Sequence, residues 1–119
     1  FFLKNKVSGV IDFYFSCVDI KIYEIAIVIN AWCFDQHNTL NIKKVTNLIK
    51  GFTLHNNLTK DELFFLNILA KGASLRFLIT RLFDWYNTPE NSFVKRKDPQ
   101  EYIDKLLYFN SNKLNFLYD

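Results

Sequence analysis

The segment "TKDELFFLNILAKGASLRFLITRLFDWY", residues 59–86, carries the longest helix signal in the chain. Thr59 and Glu62 have the spacing of a capping box, in which the Thr hydroxyl accepts from the Glu62 amide and the Glu62 carboxylate reaches back. Apolar residues recur from there until Thr88-Pro89, where a helix is expected to end. Gly72 costs about 1 kcal/mol relative to Ala inside a helix, so we expect a bend, a break or close packing there.

Three more segments predict helices around this one. Residues 20–34 are rich in β-branched residues, which favours a strand, but the run is too long for a typical strand and we predict a buried helix. Residues 41–52 place their apolar side chains on one helical stripe. Asp98-Pro99 predicts the start of a last helix, with Asp as the N-cap, Pro in the first turn and an extension as far as Leu117.

The first fifteen residues, "FFLKNKVSGVIDFYF", carry the strand signal. Two β-branched or aromatic runs flank the polar pair Lys4-Asn5, a pattern that predicts a β-hairpin. The fold class predicted from the sequence is therefore mainly α, with a short N-terminal β-hairpin followed by a helical bundle. The aromatic residues of the long helix are predicted to belong to the core: Phe64, Phe65, Phe77, Phe83 and Trp85.

The composition excludes several classes of protein. The chain has 119 residues, of which 50% are hydrophobic and 18% aromatic, so it can build a core and does not fit the disordered class. Its net charge of +3 comes from scattered cations, which predicts no nucleic-acid partner, and residues 95–97 fit a solvated loop better than a phosphate-binding patch. Cys17, Cys33, His37 and His55 lack zinc-ligand spacing, so we expect reduced, half-buried thiols and a cytoplasmic protein. We expect no apolar run long enough to span a bilayer, and hence no membrane partner.

Asp12 stands out because apolar residues surround it on both sides in "VSGVIDFYFSCVD", residues 7–19. Burying a lone carboxylate in such a segment is costly unless something pairs with it. An Asp that closes an apolar strand can hold Mg²⁺ beside nucleotide phosphates, since Mg²⁺ prefers one or two carboxylates together with phosphate oxygens. The same residue could instead cap a turn or pair with a basic side chain, and this stretch alone leaves both alternatives open.

Four motifs occur together in the chain: Ile11-Asp12-Phe13, Tyr14-Phe15-Ser16-Cys17, Asn30-Ala31-Trp32-Cys33, and Arg76-Phe77 followed by Arg81-Leu82 and Asp84-Trp85. With these motifs the chain, from Val7 to about Leu107, resembles the C-terminal part of the homoserine kinases, a family of the aminoglycoside phosphotransferase/choline kinase-like superfamily. The resemblance implies the C-terminal lobe of a protein-kinase-like fold, with the metal-binding Asp in residues 1–15 and a helical subdomain in residues 20–119.

The resemblance also implies that the ATP-binding N-lobe and the catalytic loop, with its catalytic Asp, lie upstream of Phe1. A chain that contains no Met and opens on Phe-Phe is expected to be a fragment of a longer product. Positioning and charge stabilisation need both sides of the cleft, so the isolated chain is expected to be inactive. The apolar face left by the absent N-lobe is expected to be exposed and to allow self-association.

The activity implied by the resemblance is phosphorylation of the hydroxyl of L-homoserine by Mg·ATP, in threonine biosynthesis. Asp12 is then the metal ligand, and Asp19 and Glu24 are expected to support the site without touching substrate, although Glu24 could equally be an ordinary helix carboxylate. The residues expected to bind substrate are Asn30, Trp32, Arg76, Arg81 and Asp84. One Arg would bind the substrate carboxylate bidentately, while Arg81 and Asp84 could instead form a structural i,i+3 ion pair.

Two alternatives to homoserine phosphorylation stay open at this stage. A kinase of the same superfamily that acts on choline or an aminoglycoside is one, because a shared fold does not fix the acceptor. A non-catalytic helical remnant or interaction protein is the other. The identity of the acceptor and the presence of a complete cleft distinguish them.

Overall fold

A two-stranded hairpin and four α-helices make up most of the part of the chain that the computed structural model describes, residues 1–112 and 114–117. The elements are β1 (Phe2–Leu3), β2 (Lys6–Val7), α1 (Lys21–Trp32), α2 (Ile42–Thr53), α3 (Lys60–Asn87) and α4 (Gln100–Ser111). Short 3₁₀ turns occupy Phe13–Phe15 and Asn115–Leu117. The predicted fold class, mainly α with a short N-terminal hairpin, is confirmed.

The hairpin turns at Lys4 and Asn5, as predicted. Both residues have positive φ, 49° and 63°, which is the geometry of the two-residue turns whose twist matches that of paired strands. The paired strands end where Val7 meets Phe2, and just beyond them the Ser8 amide donates to the Phe1 carbonyl at 3.0 Å. Asp12 therefore lies in an irregular segment after β2, and the prediction that it closes the second strand is wrong.

The core lies where α1 packs along α3 and α4 packs against another side of α3. Its residues on α1 follow a helical stripe, so the prediction of a helix in residues 20–34 is confirmed. Small residues on α3, Ala70 and Ala73, are fully buried and let the neighbouring backbones come close. The largest side chains of the core are Ile22, Ile25, Ile29, Val45, Leu66, Phe109 and Leu114.

The long helix α3 begins with the predicted capping box. The Thr59 amide donates to Glu62 Oε2 at 2.7 Å, and the Glu62 amide donates to Thr59 Oγ1 at 3.1 Å. The helix continues without interruption through Gly72, so the expected bend is absent from it. A Cβ placed at Gly72 meets no atom within 4 Å, so this glycine is not required for close packing either.

The prediction that the aromatic residues of α3 form the core is wrong for four of the five. Their exposed fractions are 60% for Phe64, 54% for Phe65, 66% for Phe83 and 39% for Trp85, and only Phe77 is half-buried. The reason is that α3 is apolar on nearly every side but buries only one of them. The buried side carries Leu66, Ala70, Ala73 and Ser74 and none of these aromatic residues.

Helix α3 is also long and apolar enough to cross a membrane, judged by length and composition alone. The prediction that no segment is long and apolar enough to span a bilayer is therefore wrong by this criterion. One helix of this kind is weak support for a membrane span, because the core helices of soluble proteins pass the same test.

Helix α4 starts one residue after Pro99, and the Asp98 carboxylate accepts from the Gln100 amide at 2.8 Å. It ends at Ser111, so the expected extension to Leu117 is wrong for the residues described, while Lys113 lies outside them. Both cysteines are free thiols. They are not half-buried as expected: Cys17 is exposed, whereas Cys33 is buried and its burial raises the thiol pKa.

Candidate functional site

The site residues predicted from the sequence are divided between two surface cavities and the interior. The first cavity, which we call the Asp12 groove, has a volume of about 580 Å³ and is lined by Asp12, Asp19, Tyr23, Glu24 and Arg76, among other residues. It brings residues of the irregular segment after β2 next to the first turn of α1 and the middle of α3. Three predicted carboxylates and one predicted guanidinium therefore share one groove.

Asp12 presents an open carboxylate to this groove. Its backbone is left-handed, with φ 69° and ψ 54°, a conformation that Asp tolerates better than most residues. It precedes the 3₁₀ turn Phe13–Phe15, but its side chain makes no capping hydrogen bond to that turn. Within residues 1–112 and 114–117, no basic side chain forms an ion pair with it. The sequence allowed Asp12 to cap a turn or to pair with a basic side chain. Neither contact is formed within the described residues.

The donor set of the groove fits Mg²⁺ bound together with phosphate. Mg²⁺ takes one or two carboxylates and completes its shell with water and phosphate oxygens, so Asp12 alone is a sufficient protein anchor. Asp19 uses Oδ1 to accept from the Ile20 amide at 2.7 Å at the start of α1. The residues described contain no group of three or more His, Cys, Asp or Glu side chains suited to a metal. The described residues of the groove therefore fit a metal ion whose remaining ligands come from a bound phosphate compound. They do not fit a metal ion that is coordinated by protein side chains alone.

Arg76 brings a positive charge to the groove. Its guanidinium carbon lies 4.6 Å from the centre of the Phe77 ring and 5.9 Å from that of Tyr23. Cation–π contacts of this kind orient a guanidinium without using its hydrogen-bond donors. Arg76 is therefore held near Glu24 and Asp12 while its N–H groups remain able to bind an anion.

Asn30 lies in the interior and not in the groove. Its Nδ2 donates to the carbonyls of Ala26 and Ala70, at 3.0 and 2.9 Å, and its Oδ1 accepts from the Ser74 hydroxyl at 2.7 Å. The side chain is completely buried and joins α1 to α3. The expectation that Asn30 contacts substrate is corrected on this ground, because its polar side-chain atoms face protein partners.

Trp32 is exposed and stands in the last turn of α1. Glu24 is in the first turn, and a separation of eight positions corresponds to about 12 Å along the helix axis. Trp32 is not among the residues that line the Asp12 groove. The structure thus does not bring Trp32 together with the predicted metal ligand.

Arg81 and Asp84 line a second cavity, of about 590 Å³, under the segment that connects α3 to α4. Arg81 Nη1 donates to Glu101 Oε2 at 2.6 Å and to the Asp98 carbonyl at 2.9 Å. The i,i+3 ion pair between Arg81 and Asp84 is not formed, since the guanidinium faces α4 and binds the carboxylate there. We call this second space the loop cavity.

Sequence reasoning missed a charged cluster next to the loop cavity. Lys105 is only 3% exposed, and its Nζ donates to Glu101 Oε1 at 2.5 Å and to the Asn30 carbonyl at 2.8 Å. Burial is the largest single influence on Glu101 and raises its pKa, but the hydrogen bonds and charges of Lys105 and Arg81 together lower that pKa below its ordinary value. The i,i+4 spacing of Glu101 and Lys105 was a signal for one of these contacts.

Comparison of the sequence with known proteins finds similar kinases. Residues 1–51 match the family model described as "Phosphotransferase enzyme family". The homoserine kinase of Granulibacter bethesdensis is 48% identical over 108 residues, which are 91% of this chain and 34% of that protein. The homoserine kinase of Bartonella henselae is 47% identical over 111 residues, 93% of this chain and 35% of that protein.

The chain spans about one third of the length of the curated relatives it matches. Nine-tenths of the chain take part in the similarity, as the sequence motifs predicted, so the resemblance is confirmed. The chain is thus similar to the C-terminal third of homoserine kinases over most of its length, and its first 51 residues, Asp12 included, match the phosphotransferase enzyme family.

Proposed function

We propose that the chain is the C-terminal portion of an ATP-dependent homoserine kinase, which transfers a phosphoryl group from ATP to the hydroxyl of L-homoserine in threonine biosynthesis. The observation that carries the proposal is the open Asp12 carboxylate. It faces a groove that also holds Arg76, and it lies in the residues that match the phosphotransferase family. The acceptor is proposed from the similar proteins, which are homoserine kinases.

Asp12 is proposed to hold Mg²⁺, which offsets charge on the ATP phosphates when it is bound. The left-handed backbone fixes the direction in which this carboxylate leaves the chain. Asp19 and Glu24 are proposed to support Asp12 from the other wall of the groove. Asp19 does so by holding the start of α1 through its hydrogen bond to the Ile20 amide.

Arg76 is proposed to bind the carboxylate of the acceptor. A guanidinium can bind a carboxylate with two parallel hydrogen bonds, and cation–π contacts leave the donors of Arg76 available for this. Glu24 lines the same groove and forms no ion pair within the described residues, and it is proposed to support the site without touching the acceptor. Arg81 and Asp84 line the loop cavity and not the Asp12 groove. We therefore propose that Arg76, and not Arg81 or Asp84, contacts the acceptor.

We propose that residues 1–15 and the helical residues 20–119 form one side of the active-site cleft, and that the rest of the kinase supplies the N-lobe and the catalytic loop. The isolated chain is then expected to show no phosphotransfer. Nearly all of residues 1–20 are exposed, including Phe2, Phe13 and Phe15. This apolar surface is proposed to allow self-association of the isolated chain, and light scattering that finds a monomer at high concentration would contradict it.

A chimera tests the proposed activity. This chain replaces the matching 108 residues of the Granulibacter bethesdensis homoserine kinase, and homoserine phosphorylation is measured. The chimera is expected to be active, and Asp12→Asn is expected to lower kcat at least about a hundredfold, the scale on which loss of a charge-stabilising group slows transfer. Asn accepts the left-handed backbone of Asp12, so the variant should fold.

Asp61→Asn is the matched control, because Asp61 is exposed and does not line the Asp12 groove. Its activity should equal that of the parent chimera. Activity of Asp12→Asn within threefold of the parent would contradict the metal assignment. A folded chimera that phosphorylates choline or an aminoglycoside instead of homoserine would support the sibling kinase, and one that phosphorylates none of them would support a non-catalytic role.

A further inference from the structure

The loop cavity has an aromatic floor. The rings of Phe77 on α3 and Tyr102 on α4 lie with their centres 5.3 Å apart and their planes inclined by 30°. The guanidinium of Arg81 stands 4.5 Å from the centre of the Tyr102 ring. Residues 88–97 form the opposite wall, in the connection between α3 and α4. The cavity of about 590 Å³ is large enough for a ring-sized organic molecule.

The rim of the loop cavity is strongly basic. Lys95, Arg96 and Lys97 line it together with Arg81, against the single carboxylate of Asp84. Arg96 donates to the Thr88 carbonyl and so ties the basic run to the end of α3. The basic run is exposed, as the sequence predicted, but it stands over an aromatic floor, which the sequence did not predict.

Several cationic donors at this rim are available to a ligand. Both hydrogen bonds of Arg81 start from Nη1, which leaves Nε and Nη2 without an acceptor in the part of the chain that the structure describes. Lys95 and Lys97 form no ion pair there either. An anion at the rim would therefore meet the unpaired charges of Lys95 and Lys97, together with the Nε and Nη2 donors of Arg81, whose charge is paired with Glu101.

We infer that the loop cavity is a second binding site, for a small amphipathic organic anion: one phosphate or carboxylate group joined to a ring. The ring would lie against the half-buried Phe77, which is backed by the buried Tyr102, and the anionic group would face Arg81 and the basic run. The site is distinct from the Asp12 groove because the two share no lining residue.

Calorimetric titration of the chain with phenyl phosphate tests this inference. Binding is expected with a Kd of about 1 mM, the range that a ligand of this size reaches. Inorganic phosphate, which lacks the ring, and benzyl alcohol, which lacks the charge, should each bind at least about fivefold more weakly. Phenylacetate replaces the phosphate by a carboxylate and shows which anionic group the site prefers. Equal binding of phenyl phosphate and inorganic phosphate would overturn the inference.

Two variants test the contributions of the basic rim and of the aromatic floor to binding separately. Lys95→Gln/Lys97→Gln removes two exposed charges and should weaken phenyl phosphate about fivefold, since each exposed charge contributes modestly. Phe77→Leu keeps an apolar side chain and should abolish the advantage of phenyl phosphate over inorganic phosphate. Lys43→Gln/Lys60→Gln changes the net charge equally at exposed positions outside the cavity, and should leave binding unchanged. Equal weakening by both lysine pairs would mean non-specific attraction and would overturn the inference.

This result is independent of the proposed kinase activity. Asp12→Asn should leave phenyl phosphate binding unchanged, because Asp12 lies outside the loop cavity. Failure of homoserine phosphorylation in the chimera would likewise leave the titration with phenyl phosphate intact. Loss of phenyl phosphate binding in Asp12→Asn would place the ligand in the Asp12 groove and overturn the inference of a second site.

Discussion

Replacement of Glu101 by Gln should destabilise the fold far more than a surface substitution. Glu101 accepts from Lys105 at 2.5 Å and from Arg81 at 2.6 Å, so one carboxylate balances two cations. The side chain of Lys105 is 3% exposed and that of Arg81 is 17% exposed. A glutamine side chain would keep the shape of Glu101 but lose its charge, and its NH2 group would face one of the two cations. The buried Lys105 ammonium would then have uncharged acceptors such as the Asn30 carbonyl but no countercharge.

The size of the effect follows from these exposures. Removing one partner of a buried ion pair costs about 3–5 kcal/mol, because the other charge stays buried without compensation. The side chain of Glu101 is itself 38% exposed, so water screens part of the interaction. We therefore expect Glu101→Gln to lower the free energy of unfolding by about 2–3 kcal/mol. For a domain of this size that corresponds to a fall in Tm of roughly 8–15 °C.

Urea unfolding at pH 7 measures this change, with Glu90→Gln as the matched control. Glu90 is exposed and forms no ion pair among the described residues, so its replacement should change the free energy of unfolding by less than about 0.5 kcal/mol. Lys105→Met/Glu101→Gln removes the buried ammonium as well and should recover at least about 1 kcal/mol relative to the sum of the single variants. A Glu101→Gln variant as stable as Glu90→Gln would refute the reasoning.

The same carboxylate should make stability depend on pH. The pKa of Glu101 in the folded chain is lower than its ordinary value of 4.5, despite the opposing effect of burial, because Lys105 and Arg81 favour the ionised form. A lowered pKa in the folded state contributes stability above pH 4.5, and this contribution is lost as the pH falls through the folded-state pKa. The stability difference between the parent and Glu101→Gln should accordingly be largest near pH 6–7 and should shrink below about pH 4.5.

Three further substitutions test the helices by urea unfolding at pH 7. Thr59→Ala removes the capping hydroxyl of α3 and should cost about 1 kcal/mol; no loss would mean that the capping box does not stabilise α3. Gly72→Ala should stabilise the fold by about 0.5–1 kcal/mol, since Gly72 is mid-helix and a Cβ there meets no atom within 4 Å; destabilisation would show that the expected close packing exists after all. Asn30→Ala deletes the buried amide between α1 and α3 and should cost about 2 kcal/mol; a change below about 0.5 kcal/mol would contradict its joining role.

The helices were predictable because their signals are local. The capping box at Thr59 and Glu62, the apolar stripe of residues 41–52 and Asp98 before α4 act within a few residues of themselves, so no distant contact overrides them. The buried face of α3 was not predictable in this way. Apolar residues occur around the whole circumference of α3, and periodicity cannot select one face of such a helix.

The residues that α3 buries show which property determines the face that packs into the core. Ala70, Ala73 and Ser74 are fully buried, whereas Phe64 and Phe83 are exposed. A hydrophobicity ranking favours the phenylalanines, but helices approach most closely at small residues, and there Asn30 of α1 also reaches the Ala70 carbonyl and the Ser74 hydroxyl. The close fit and the hydrogen bonds between α1 and α3 therefore determine which face of α3 is buried. Hydrophobicity alone predicts the wrong face.

The candidate site was predictable to the same limited degree. Asp12 could be recognised from its neighbours in the sequence, whereas the partner of Arg81 could not, because Glu101 lies twenty residues away on α4. The i,i+3 neighbour Asp84 was the locally reasonable partner. The contact between Arg81 and Glu101 forms only where α4 packs against α3, so no signal within α3 could predict it.

The charged cluster and the Asp12 groove are connected through α1. Lys105 holds the C-terminal end of α1 by its bond to the Asn30 carbonyl, and at the other end Lys21 pairs with Glu62 at 3.2 Å and donates to the Asn57 carbonyl. The groove residues Tyr23 and Glu24 thus stand on a helix that is fixed at both ends. Because α1 is also held along its length by the core, Glu101→Gln in the chimera should lower thermal stability without moving Glu24, and should therefore leave the KM for the acceptor unchanged.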